Sequence, residues 1–195
     1  GMSGIARILL ALGADVSGSD VKDSSALDGL RTLGARISIG HSEANVPQSG
    51  VLVASSAIAE GNPELIAARS RGLVVLLRAQ ALALIMSQKR SIAIAGTHGK
   101  TTTTSMATVA LQRCGADPSF AIGAAVTNSG TNAHHGSGEI FVAEADESDG
   151  SFLAYKPFGA IITNIELDHV DNFHSLDEMD ELFAQFIASI QSGGF

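Results

Sequence analysis

Residues 96–102, Gly-Thr-His-Gly-Lys-Thr-Thr, follow an apolar run at 91–95 and combine the residue types that a nucleotide phosphate site needs. Small residues let backbone N–H groups converge on phosphate oxygens, Lys100 supplies positive charge, and the Thr101 hydroxyl is an oxygen donor for Mg²⁺ at a helix start. Gly96, Thr97, His98, Gly99, Lys100, Thr101 and Thr102 are therefore the candidate residues for holding the phosphates of ATP or GTP. The commoner, longer pattern would put glycine at position 94, where this chain has Ile94, so the loop is a shorter form opening at Gly96. A glycine-rich strand-to-helix turn with a chance Lys-Thr is the competing structural reading. The clean strand before the loop and the helix after it argue against that reading.

A phosphate loop calls for a metal, and a metal calls for ligands delivered from neighbouring strand ends. Two segments qualify. In Phe141-Val142-Ala143-Glu144-Ala145-Asp146-Glu147-Ser148-Asp149 an apolar strand runs into four carboxylates within six residues. Such a cluster repels itself unless a cation compensates, and a solvated acidic turn is the alternative. In Ile161-Ile162-Thr163-Asn164-Ile165-Glu166-Leu167-Asp168-His169 a second strand ends in polar groups, where His169 alone would default to a structural role. His134 and His135, among glycines, read as surface or substrate-loop residues rather than metal ligands, and Cys114 as an inert small core residue.

The elements that must position these groups follow an α/β rhythm. Helices are expected at 2–12, 25–33, 63–71 and 79–87, with strands at 16–19, 37–39, 51–55 and 73–77, which together read as a parallel sheet with crossover helices. A doubly wound unit opens with a strand and a glycine-rich turn, whereas this chain starts where that turn would end, so the sequence reads as a fragment. Ser87-Gln88-Lys89-Arg90 is the expected boundary, dividing 1–88 from 89–195. Beyond it come a helix at 100–114, strands at 119–122, 140–145 and 160–164, a serine-glycine loop at 128–138, and an amphipathic helix at 176–191. In that helix Leu182, Phe183, Phe186, Ile187 and Ile190 form the apolar stripe.

Composition narrows the function classes. At 195 residues and 45% apolar, the chain can bury a sizeable core. Its formal charge of −8 argues against a nucleic-acid or anionic-membrane partner, and its apolar runs fall far short of the roughly 20 residues of a membrane span. One cysteine and no secretory leader pattern fit a reducing cytoplasm.

Three motifs in this order, Gly96-Thr97-His98-Gly99-Lys100-Thr101-Thr102, Glu144-Ala145-Asp146-Glu147-Ser148-Asp149 and Thr163-Asn164-Ile165-Glu166-Leu167-Asp168-His169, resemble those of the Mur ligases of bacterial peptidoglycan synthesis. Gly-Met-Ser-Gly-Ile-Ala at 1–6, Val-Ser-Gly-Ser-Asp at 16–20, Gly-His at 40–41 and Ser-Ser-Ala-Ile at 55–58 extend the likeness over nearly the whole chain. The resemblance implies an α/β fold, a Rossmann-like N-terminal unit followed by a P-loop-type parallel-sheet ATPase unit, truncated. Residues 1–88 would bind a UDP-sugar and lack their first strand, and 89–195 would be an incomplete ATP-binding central domain with the C-terminal domain absent. It also implies ATP and Mg²⁺ as cofactors and UDP-N-acetylmuramate and L-alanine as partners, joined through an acyl phosphate. By itself the fragment is expected to be inactive. Lys100, Glu144 and His169 match catalytic positions, and Thr101, Glu144 and His169 metal positions. The sugar nucleotide would meet Gly1, Met2, Ser3, Asp20, His41, Ser55, Ser56 and Ala57, although Asp20 could be a helix cap and His41 a loop residue. A ligase recycling murein peptides and a non-catalytic nucleotide-sugar-binding module are the alternatives.

Overall fold

The computed structural model describes residues 2–126, 130–168 and 173–195. The chain divides into two compact units, Gly1–Ala81 and Leu82–Phe195.

The N-terminal unit alternates α1 (Met2–Ala11), β1 (Ser17–Asp20), α2 (Ser25–Thr32), β2 (Arg36–Ile39), β3 (Val51–Ala54), α3 (Pro63–Ser70) and β4 (Val74–Leu77). A 3-10 turn at Glu43–Asn45 precedes β3, and α4 (Arg78–Met86) carries the chain onward. Helix α3 starts where sequence chemistry says it should: the Asn62 side chain accepts from the Glu64 N–H, and Pro63 occupies the first turn. The strands are parallel as expected, but they pair as β1–β2 and β3–β4, with no ladder joining the two pairs among the described residues. Two small cores result. Leu27, Leu30 and Ala35 bury against Ala6, Leu10, Val16 and Ile37, and Val46, Ala67 and Ala68 against Leu52, Leu73 and Val75.

The second unit comprises β5 (Arg90–Ala95), α5 (Lys100–Arg113), β6 (Ser119–Val126), β7 (Thr131–His134), β8 (Ile140–Glu144), β9 (Gly159–Ile162) and α6 (Leu176–Ala188). Its sheet has the order β7-β6-β8-β5-β9, parallel except where β7 runs against β6. Ile94, Phe120, Ile122, Val126 and Val142 form its core, covered by Ala107, Val109 and Leu111 of α5. On α6 the buried stripe is Met179, Phe183 and Phe186, with Phe152 stacked 4.6 Å from the Phe186 ring and edge-on 5.5 Å from Phe183. Each such side chain contributes about 1.5–3 kcal/mol relative to exposure. Ile187 of the expected stripe is half exposed.

Two expectations are corrected. Residues 131–134 lie in a strand, not a loop, because pairing with the edge of β6 (Phe120 with His134, Ala121 with Ala133) overrides the poor strand propensity of Asn132 and Ala133. Cys114 is exposed, since it caps the C-terminus of α5 rather than lying on its core face. No helix among the described residues is long and apolar enough to cross a membrane.

Candidate functional site

The loop leaving β5 is shaped by its own glycines. Gly96 has φ +130°, and a Cβ there would lie 2.2 Å from Thr163 Oγ1 and 2.8 Å from the Asn164 carbonyl oxygen, so only glycine fits. Gly99, at φ +82°, is the left-handed N-cap of α5. Strand order brings the other two motifs alongside: β5 lies between β8 and β9, with Ile94 opposite Glu144 and Ala95 opposite Ile162.

The segment after β9 binds the loop on one side. Asn164 accepts from the Thr97 N–H through its carbonyl (3.2 Å) and from the His98 N–H through its side chain (2.9 Å). Thr163 Oγ1 donates to the His98 carbonyl at 2.6 Å, and Thr97 Oγ1 takes the Glu166 N–H at 2.9 Å. The N–H groups of Lys100, Thr101 and Thr102, in the first turn of α5, have no intrahelical acceptor and are the donors a helix start offers an anion.

The segment after β8 supplies charge on the other side. Lys100 Nζ donates to the carbonyls of Gly96 (2.7 Å) and Thr97 (3.2 Å) and to Glu147 Oε1 (2.9 Å). Glu147 is wholly buried, and the Lys100 side chain is only 13% exposed. Thr101 Oγ1 donates to Glu144 Oε1 at 3.0 Å, while the Gly123 N–H donates to Glu144 Oε2 at 2.7 Å. Thr101 and Glu144 thus present two adjacent hard oxygen donors, the set a small divalent cation prefers. The acidic run divides its labour: Glu144 and Glu147 face the loop, while Asp146 and Asp149 accept turn N–H groups of Ser148 (3.1 Å) and Ser151 (2.9 Å). Among the described residues no group of three or more His, Cys, Asp or Glu is placed to hold a metal.

His169 and Gly1 lie outside the described residues. Of the expected site residues, Thr101 of the 96–102 loop lies against Glu144. Glu147, Thr163 and Asn164 were quoted in the motifs without a role; the signal for Glu147 was its place just past an apolar strand. His134 instead pairs with Asp117 (3.2 Å), which also takes two hydrogen bonds from Ser137. Burial, together with Lys89 and His134, lowers the pKa of His135.

In the N-terminal unit, Met2 and Ser3 open α1, and Asp20 ends β1, exposed, accepting the Lys22 N–H at 3.2 Å. Asp20 is not a helix cap, because α2 has Ser24 at that position. Ser55 follows β3 and accepts the Ala57 N–H (3.3 Å); Ser56 lies between them. His41, just beyond β2, belongs to a network: its Nδ1 is 2.9 Å from Ser19 Oγ, and Ser19 donates to Glu64 Oε2 at 2.6 Å. Burial pushes the Glu64 carboxyl up, but hydrogen bonds from Ser19, Asn45 and Ser42, with the His41 charge, outweigh it and leave the pKa lowered.

Residues 1–90 match the Mur ligase family catalytic domain and residues 94–195 the Mur ligase middle domain. The chain is 54% identical over its whole length to UDP-N-acetylmuramate–L-alanine ligases of Saccharopolyspora erythraea and Acidothermus cellulolyticus, covering 40% and 41% of them. It thus spans about two fifths of the length of these curated relatives. Among solved structures it is similar to the UDP-N-acetylmuramate:L-alanyl-γ-D-glutamyl-meso-diaminopimelate ligase of Neisseria meningitidis, with TM-score 0.90, 30% identity and coverage of 99% of this chain and 66% of that one. It is also similar to the UDP-N-acetylmuramate-alanine ligase of Thermotoga maritima, with TM-score 0.87, 30% identity and coverage of 97% and 45%.

Proposed function

The chain belongs to the Mur ligase family, and on that premise we propose that it is the nucleotide-binding part of a cytoplasmic, ATP-dependent ligase joining L-alanine to UDP-N-acetylmuramate. In this reading 1–88 hold the sugar nucleotide, through Gly1, Met2, Ser3, Asp20, His41 and Ser55 to Ala57, and 89–195 hold ATP. The observation that carries it is the convergence of Lys100, Thr101 and Glu144 on one loop, with Thr101 and Glu144 3.0 Å apart.

ATP supplies the phosphoryl group that turns the lactyl carboxylate into an acyl phosphate, and Mg²⁺ supplies the charge that lets two anions approach. Lys100 contributes a fixed positive charge, and the first-turn N–H groups of α5 orient phosphate oxygens. Thr101 Oγ and Glu144 are the oxygens that fit a divalent cation here, with His169 assigned by its motif. Asn164 and Thr163 keep the loop from relaxing, so the donors need little reorganisation when charge shifts.

A murein-peptide ligase is the second reading, supported by the TM-score of 0.90 to the Neisseria structure. The identity of 54% to L-alanine ligases favours the first. Phosphate release by the protein at its full natural length, with UDP-N-acetylmuramate and either L-alanine or a murein tripeptide, separates them. Release dependent on L-alanine is expected, and release only with the tripeptide would overturn the assignment.

A further inference from the structure

Ser19, His41, Ser42, Asn45 and Glu64 form a polar network whose proton directions follow from counting donors. Glu64 Oε1 accepts from the Ser42 N–H (3.3 Å) and Asn45 Nδ2 (2.7 Å), and Oε2 accepts from Ser19 Oγ (2.6 Å). An ionised carboxylate has no proton to give, and a hydroxyl has one, so the Ser19 hydrogen is committed to Glu64. The 2.9 Å contact between Ser19 Oγ and His41 Nδ1 must then carry its hydrogen on Nδ1. Glu64 Oε2, 3.5 Å from the same nitrogen, favours the same arrangement, since a lone pair there would face a negative oxygen. In a neutral imidazole this leaves Nε2 as an acceptor, and Nε2 has no hydrogen-bond partner among the described residues. A Ser-His-carboxylate grouping also invites a nucleophile reading. The proton order excludes it, because the serine hydrogen goes to the carboxylate rather than to the imidazole.

We propose that Glu64, acting through Ser19, holds His41 in the Nδ1–H tautomer so that Nε2 accepts a hydrogen bond from an N–H group of the nucleotide sugar. This rests on the reading of the N-terminal unit as the nucleotide-sugar site. His41 lies two residues past the end of β2, whose last residue, Ile39, pairs with Asp20. In doubly wound sheets ligands lie beyond these carboxyl ends, with an acidic residue there on the ribose. A UDP-N-acetyl sugar offers two N–H groups unable to turn round and accept: the uracil imide and the acetamido group.

Glu64→Gln has a defined consequence. The Ser42 and Asn45 donors both aim at Oε1, so the glutamine carbonyl takes that place and its NH₂ takes the place of Oε2. The NH₂ donates to Ser19 Oγ, Ser19 turns its hydrogen to His41 Nδ1, and the imidazole proton moves to Nε2, which becomes a donor. Glu64 is thus a positioning residue.

Two measurements on the protein at its full natural length test this. Nitrogen-15 NMR of the imidazole in mildly alkaline buffer should place the proton on Nδ1 in the wild type and on Nε2 in Glu64→Gln; a wild-type proton on Nε2 overturns the proposal. Calorimetry with UDP, CDP and UDP-N-acetylmuramate gives two affinity ratios. UDP over CDP reports the imide, which cytosine lacks, and UDP-N-acetylmuramate over UDP reports the acetamido group. Glu64→Gln and His41→Ala should each lower one ratio by about tenfold or more. Both ratios surviving Glu64→Gln would overturn the proposal. Wild-type protein binding none of the three nucleotides would instead overturn the nucleotide-sugar reading itself, and this use of His41 with it.

Discussion

The two units end their parallel strands in polar residues, but they hold those residues by different means. In the second unit β5 has hydrogen-bonded neighbours on both edges, and four of its six residues are buried. In the first unit each strand has one hydrogen-bonded neighbour among the described residues, and Val51, Val74, Ile39 and Leu77 remain 58%, 57%, 50% and 49% exposed. Parallel strands ordinarily have both faces covered. The proposed phosphate loop is set by backbone: strand register, two positive-φ glycines and a neighbouring segment that leaves no room for a side chain at Gly96. The Ser19–His41–Glu64 network is set by side chains reaching from α3 to the ends of β1 and β2. A backbone-set site should respond abruptly to small changes, and a side-chain-set site by degrees.

Lys100→Met is the largest expected break. It removes the charge proposed to bind phosphate and leaves Glu147 buried without its cation. ATP turnover by the full-length protein should fall by about a thousandfold. Hydrogen exchange in the second unit should report a loss of about 3–5 kcal/mol. Lys100→Met with Glu147→Gln should return most of the stability and none of the turnover, which separates folding from chemistry. Next comes Gly96→Ala. With its Cβ 2.2 Å from Thr163 Oγ1 and φ at +130°, it should cost about 2–4 kcal/mol by urea unfolding. Gly72→Ala, at φ +67° with open space around it, should cost only about 1–2 kcal/mol. Equal costs would break the contrast, because backbone strain alone would then account for both.

The sequence carried much of the second unit and less of the first. The motif residues at 96–102, 144 and 163–164 sit where short apolar strands end, and strand ends are legible from hydrophobic runs and turn residues. The strand order that interleaves β8, β5 and β9 is not written locally, which is why Glu147 could be quoted in an acidic run without its lysine being named. Thr131–His134 was hidden for a related reason: its pairing partners Phe120 and Ala121 lie 14 and 12 residues upstream on β6, and Asn132 and Ala133 have little strand preference. In the first unit, His41 and Glu64 are 22 and 45 positions from Ser19, the residue they share, and no periodicity connects them. The family resemblance supplied His41, but only the folded geometry supplied Glu64 and the direction of its protons.

The smallest effect bears on the side-chain-set site. Glu64 has its pKa lowered in the folded chain: burial opposes this, but the donors Ser19, Asn45 and the Ser42 N–H, with the His41 charge, prevail. The unfolded chain therefore takes up this proton at higher pH than the folded chain does. The stability Glu64 confers is complete above the ordinary glutamate value of about 4.3 and is lost as pH falls through the lower folded value. Urea midpoints followed from about pH 6 down to pH 3 should decline more steeply for the wild type than for Glu64→Gln, with the curves converging at the acid end. Hydrogen exchange should assign the difference to residues of the first unit. A difference spread equally over both units would mean that the two sites are energetically one, and the contrast between backbone-set and side-chain-set support would have to be given up.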